Sequence, residues 1–160
     1  EKKAKAAGGG KKAKAAGKTQ TWKAFLSSSK QNVKDILKGK EASQLVVYNT
    51  KGEKLFNNWA DIFDGSNSFT PMLYAFDGKK VDEGQGANPE WSDADGWTGS
   101  DASGNVVAGK TCNDWTSSAN NLQGANTELD AGNAMLKNET HNCNDTLAVV
   151  CLTLNDGKGE

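Results

Sequence analysis

The stretch "GWTGSDASGNVVAGKTCNDWTSS", Gly96–Ser118, decides how this chain is read. It sets Trp97, Trp115 and Cys112 among glycines and small polar residues. Indole rings are costly to leave in water, so the two tryptophans either offer their faces to a ligand or pin a loop-rich core from inside. The rest of the chain separates these alternatives.

At 160 residues, with 36% hydrophobic residues, eighteen glycines and two prolines, the chain fits one domain of short elements joined by many turns. Its longest apolar run, "LAVVCL" at 147–152, is too short to cross a bilayer, and no signal-peptide core stands at the front, so an exported form is expected to have lost its signal already. The net charge of −1 conceals an asymmetry: twelve lysines face two carboxylates up to Lys40, and seven lysines face eighteen carboxylates beyond it. Arginine is absent, which removes the side chain best shaped for bidentate recognition of sulfate or carboxylate. The three cysteines, Cys112, Cys143 and Cys151, make an odd count. In a secreted chain that means one disulfide and a leftover thiol; in a cytosolic one it means three buried thiols. His141 is the only histidine and no CxxC pair occurs, so no zinc site is expected. Sequons at Asn138-Glu139-Thr140 and Asn144-Asp145-Thr146 matter only in a eukaryotic host.

Residues 1–20 are low-complexity Lys/Ala/Gly, with "KKAKAAG" present twice, and read as a flexible tail with no specific nucleic-acid partner. The folded domain is expected over 21–155, with a short tail at 156–160. "TWKAFL" reads as a short strand, and the serines of "SSSKQNVKDILK" as caps of a helix carrying Val33, Ile36 and Leu37 on one face. "QLVVYN" reads as a buried strand that turns at Lys51-Gly52 into "KLF". "NNWADIFDG" gives a capped helix burying Trp59, Ile62 and Phe63 and ending at Gly65. "MLYAFDG" is a strand ending in a turn, 79–95 a long loop, "TCNDWTSS" a short helix, 120–137 irregular, and "TLAVVCLTL" the clearest strand. A loop that long is normally functional or held by a crosslink.

The blocks "TWKAFLSSSKQNVKDIL", "LVVYNTKGEKLFNNWADIFDGS", "YAFDGKKV", "NPEW", "GWTGSDASG", "TCNDWTS" and "NCNDTLAVVCL" resemble, in order, the endostatin domain of collagens XV and XVIII. The Trp-x-Gly-Ser-Asp-x-x-Gly block followed by Cys-x-x-Trp is also similar to lectin-like domains of bacterial surface proteins and lipoproteins. The resemblance implies an α+β, C-type-lectin-like fold of mixed short strands, two short helices and long loops. It pairs Cys112 with Cys143, leaves Cys151 as a buried free thiol, and makes Trp59, Phe63, Trp97 and Trp115 structural core, with Gly99 and Gly104 allowing close approach to the rings. An extracellular or cell-surface location follows from that disulfide.

The family's ligand chemistry does not transfer intact. Lys23 and Lys38 keep positive charge where family arginines stand and Lys40 lies nearby, so these are residual anion-binding candidates. Asn105, Val106 and Thr116 replace other arginines, and heparin binding is expected to be weak at best. The family's zinc-binding histidines are missing and Gly52 occupies the aspartate's place, so neither a metal nor another cofactor is expected. Neither calcium-ligand tripeptide of the lectins occurs, Asn88-Pro89-Glu90 being the nearest imitation.

Asp93, Asp95 and Asp101 read as turn formers and solvated charges rather than an acid–base pair, and His141 as an exposed loop residue without a serine or aspartate partner. An enzyme is therefore not expected. The reading is a binding or adhesion module that recognises a glycan, or a cell-surface or matrix protein, through long loops. Asn88, Glu90, Trp91 and Asp93 are the ligand candidates, and Phe69, Pro71 and Met72 offer an apolar patch for a protein partner. The alternative is a structural subunit of a surface or matrix assembly, self-associating through its basic tail and acidic body.

Overall fold

The computed structural model describes residues 21–37, 44–65, 73–81, 94–130, 135–137 and 139–154. Strand β1 (Trp22–Ala24) pairs antiparallel with β8 (Cys151–Thr153), so the first and last strands close the domain together. Strands β2 (Val47–Tyr48) and β3 (Lys54–Phe56) form a hairpin. Its turn is organised by the Asn49 side chain, whose Oδ1 accepts from the amides of Lys51 and Glu53, while Gly52 supplies the positive φ of 81°. The remaining strands, β4 (Asp95–Trp97), β5 (Gln123–Glu128), β6 (Glu139–Asn142) and β7 (Ala148–Val149), make a four-stranded sheet in the order β6-β5-β4-β7. Pairing is antiparallel except between β4 and β7. With 3-10 turns at Val33–Asp35 and Ala60–Phe63, the arrangement is α+β, built from short strands and few helical residues.

One hydrophobic cluster is formed by Phe25, Val33, Phe56, Trp59, Ile62, Met135 and Leu136. Phe63 is half-buried against it, stacked on Phe25 with ring centroids 6.2 Å apart and edge-on to Trp59 at 5.2 Å. The Trp59 indole N–H donates to the Lys34 carbonyl at 2.8 Å, which satisfies its polar atom inside the core. A second cluster gathers Trp97, Cys112 and Cys143, with Trp115 packed against them and its ring centroid 5.9 Å from that of Trp97. The two indoles of the opening stretch are therefore packed inward, one buried and one half-buried. Each such ring removes on the order of 200 Å² from water, an upper-bound contribution of about 5 kcal/mol.

Several elements depart from the sequence-based expectations. The helix expected after Ser27–Ser29 is a 3-10 turn without a side-chain cap. The serines serve other partners: Ser27 Oγ accepts from the Val33 amide at 2.7 Å and lies 2.8 Å from Ser100 Oγ, and Ser29 binds Asp114. The strand expected to be buried around Val47 is a two-residue edge with Tyr48 exposed. The stretch expected to be irregular holds β5, the second strand of the largest sheet. It escaped recognition because its buried positions are Gly124, Ala125, Asn126 and Thr127 instead of branched apolar residues. Gly124 is needed there, since a Cβ would sit 2.6 Å from the Trp97 ring and 2.9 Å from Cys112 Sγ. "TLAVVCLTL" splits into β7 and β8, which belong to different sheets.

Candidate functional site

The segment 97–118 is pinned at both ends. Thr98 and Gly99 amides both donate to the Ala125 carbonyl at 2.9 Å, and Asp101 Oδ1 accepts from Ser103 and Asn105 amides to close the following turn. At the far end the expected short helix is a left-handed turn: Cys112, Asn113, Asp114 and Trp115 all have φ between 50° and 64°. Left-handed backbone costs about 1–2 kcal/mol per non-glycine residue, so this turn persists only because its surroundings over-determine it. Cys112 is bonded to Cys143, and Thr111 Oγ1 accepts from the Asp114 amide at 3.2 Å. The Trp115 indole N–H donates to the Ser27 carbonyl at 2.8 Å, and the Asp114 carboxylate accepts from the Ser29 amide at 2.7 Å and hydroxyl at 2.5 Å. Those Ser29 bonds, foremost, hold the Asp114 carboxyl below the usual aspartate range. Gly99 faces the same indole: a Cβ there would meet Trp115 Cζ2 at 2.8 Å and the Ser27 carbonyl at 2.9 Å. Gly104 instead approaches Phe63 and Lys34, not a tryptophan.

Beside this braced turn lies a shallow cleft of about 200 Å³ lined by Ser28–Asn32, Asp35 and Val106. Its rim is polar, and its shape is already set. Asn32 Oδ1 takes the Val106 amide at 2.8 Å and its Nδ2 reaches Asp35 Oδ2 at 3.1 Å, while Gln31 Nε2 donates to the Asp35 carbonyl. The ammonium of Lys30 adds a positive charge close enough to draw on Asp114.

The four-stranded sheet carries a second polar group. His141 sits on β6, not in a free loop, and both ring nitrogens face aspartates: Nε2 lies 3.0 Å from Asp95 Oδ2 and Nδ1 3.1 Å from Asp145 Oδ2. This corrects the expectation of an unpartnered histidine, and Asp95 is mostly buried instead of solvated. The pairing was invisible because Asp95 and His141 lie far apart in sequence on β4 and β6, strands separated by β5. Lys137 salt-bridges Glu128 on the neighbouring strand; that bond, with the carboxylates of Glu139 and Asp95, pushes the lysine pKa up.

The remaining predicted residues distribute as follows. Cys112 and Cys143 are joined, and Cys151 is a half-buried free thiol whose pKa is raised by burial. Lys23 is exposed on β1. Asn88, Glu90, Trp91 and Asp93, with Lys38, Lys40, Phe69, Pro71 and Met72, lie outside the described residues. Among the described residues, no group of three His, Cys, Asp or Glu side chains is placed to hold a metal, and no helix is long and apolar enough to span a membrane. Sequence reasoning passed over the exposed pair Trp22 and Phe76, whose rings meet edge-on at 5.1 Å. All three residues of β1 are exposed, so no alternation along the strand marked Trp22 as outward.

Comparison with known proteins agrees with this architecture. The family model described as "Collagenase NC10 and Endostatin" matches residues 9–155. The human collagen alpha-1(XVIII) chain is 30% identical over 145 residues, which cover 88% of this chain and 8% of that protein's length. Sequence blocks, disulfide and family match converge, and the chain belongs to the endostatin family.

Proposed function

We propose that this protein is a non-enzymatic recognition module of the extracellular matrix or cell surface, and that its ligand is a glycan. Family membership and similarity to a collagen chain support the matrix setting. The order of its strands, with β1 closing on β8, supports reading the fold as C-type-lectin-like. We place the domain boundary at Thr21, with residues 1–20 as its tether.

The observation that carries the ligand class is the polar cleft over Ser28–Asn32. Hydroxyl, amide, ammonium and carboxylate groups share one small rim, and the clamp from Asp114 to Ser29 fixes its outline before any ligand arrives. A fixed, mixed donor–acceptor surface matches the hydroxyls of a sugar and avoids the entropy of ordering a loop on binding. The same composition disfavours sulfated chains, because the positive charge of Lys30 is offset by Asp35 and Asp114. Heparin retention is accordingly expected only at low salt, through the lysine-rich tail.

A glycan array probed with the full chain at low and physiological salt tests this reading. The expected result is salt-resistant binding to a neutral or weakly charged glycan, reduced at least tenfold by Lys30→Ala combined with Asp35→Ala. An array with no salt-resistant ligand overturns the glycan reading and favours a structural subunit.

A further inference from the structure

The side chains lining the cleft over Ser28–Asn32 are not equally committed to the fold. Ser29 gives its amide and hydroxyl to Asp114, and Asn32 gives Oδ1 to the Val106 amide and Nδ2 to Asp35 Oδ2. Gln31 Nε2 donates to the Asp35 carbonyl, and Ser28 Oγ accepts from the Lys30 amide at 3.3 Å. Three groups keep capacity for a ligand. Among the described residues the Lys30 ammonium draws on Asp114 without an ion pair of its own, and Asp35 keeps Oδ1 open. Val106 is the only apolar side chain of the lining. One carboxamide sets the spacing of the last two. Because Asn32 bonds both the Val106 backbone and the Asp35 carboxylate, it holds an aliphatic side chain and an open carboxylate oxygen on either side of a single planar group. Val106 is fixed further by its bridge to Ser100, and the Asp35 amide by the Asn32 carbonyl at 3.1 Å. Lys34, the remaining charged residue of the turn, packs its stem against Gly104 and is not part of the lining.

We propose that this cleft recognises the acetamido group of an N-acetylated hexosamine, an inference that rests on the reading of the cleft as a glycan site. An acetamido group carries an N–H donor, a carbonyl acceptor and a methyl in one plane. Its N–H matches Asp35 Oδ1, its carbonyl the Lys30 ammonium, and its methyl Val106. A plain hexose offers only a hydroxyl at that position, which leaves Val106 uncovered. A hexosamine without its acetyl group brings an ammonium toward Lys30 as well as Asp35, so attraction and repulsion oppose each other. At about 200 Å³ the cleft lies below the range of sites that enclose larger ligands, and it suits one sugar residue. A hydrogen bond to a carboxylate belongs to the stronger class and a covered methyl adds to it, so the acetylated sugar is preferred by about tenfold or more.

The test uses the full chain at physiological salt in saturation-transfer NMR. The probes are N-acetylglucosamine, N-acetylgalactosamine and N-acetylmannosamine, each compared with its parent hexose and its free amine. The expected result is binding of at least one acetylated sugar, with the strongest transfer onto the acetyl methyl and with both comparison sugars at least tenfold weaker. Val106→Thr, which keeps the branched shape but replaces a methyl by a hydroxyl, is expected to weaken that binding severalfold at an unchanged thermal midpoint. Asp35→Asn, which leaves one acceptor where there were two, weakens it by a larger factor. Equal affinity for the parent hexose, or transfer confined to the ring protons, overturns the acetamido inference and leaves the cleft as a glycan site. Failure of all three acetylated sugars does the same, provided that the array yields a salt-resistant ligand sensitive to the Lys30 and Asp35 changes. No salt-resistant ligand of any kind overturns both readings.

Discussion

Removing the Cys112–Cys143 crosslink, by changing both cysteines to alanine, tests how the domain pays for its irregular second half. The bridged residues are 31 apart in sequence. In the chain-entropy account a closed loop of about 32 residues is worth about 3.7 kcal/mol at 25 °C. For a folded domain of roughly 130 residues the unfolding entropy is about 0.27 kcal/mol per kelvin, so the expected fall in thermal midpoint is about 14 °C. The consequence is also local. Without the crosslink the left-handed turn loses one of its restraints, and relaxation toward ordinary backbone withdraws Asp114 from Ser29 and Trp115 from the Ser27 carbonyl. Calorimetry of the parent and the double variant measures the global term, and tryptophan emission reports Trp115 moving into water below the transition. A midpoint shift under about 4 °C, with unchanged emission, refutes the argument; it would mean that packing of Trp97 and Trp115 alone holds the turn.

Three further outcomes follow from single sites. Gly104→Ala combines a φ of +73° with a Cβ placed 2.5 Å from Phe63 Cδ1. The expected loss is about 3 kcal/mol, read in urea unfolding, and a loss below about 1 kcal/mol would contradict the close contact. The lowered pKa of Asp114 means that its contact with Ser29 contributes fully above the unfolded aspartate value and is lost as pH falls through the lower folded value. Asp114→Asn should therefore be less stable than the parent near neutrality, with the difference starting to shrink only as pH falls below the unfolded aspartate value of about 4; parallel curves down to pH 2 would remove the linkage. Because burial raises the Cys151 thiol pKa, alkylation by iodoacetamide at pH 8 should be much slower in the native protein than in urea, and equal rates would show the thiol to be open.

What was legible in the sequence was local. Lys51-Gly52 announced the β2–β3 hairpin because positive φ is a property of glycine itself, and the structure adds the Asn49 side chain that organises the turn. "NNWADIF" carried its own turn, its Asn58 cap on Asp61 and its apolar face, so Trp59 and Ile62 were placed without knowledge of their partners. The order of the motif blocks was enough to reach the family, and through it the pairing of Cys112 with Cys143. Only the tertiary structure decided the rest. Strand β5 forms because β4 and β6 flank it with hydrogen bonds, and no propensity in "QGANTE" could supply those. The run 147–154 reads as one strand, but its residues are shared between two sheets. The left-handed turn at Cys112–Trp115 suits Asn113 and Asp114 but runs against the preference of Cys112 and Trp115, and it exists because a disulfide, Ser29 and the Ser27 carbonyl hold it from outside. The Asp95–His141 pair and the Trp22–Phe76 ring contact likewise join residues distant in sequence, and the cleft, otherwise local to 28–35, takes in Val106. Capping and turn energies act over a few residues and are written into the chain. Ladder bonds, ring contacts and ion pairs exist only once the backbone has brought their partners within a few ångströms.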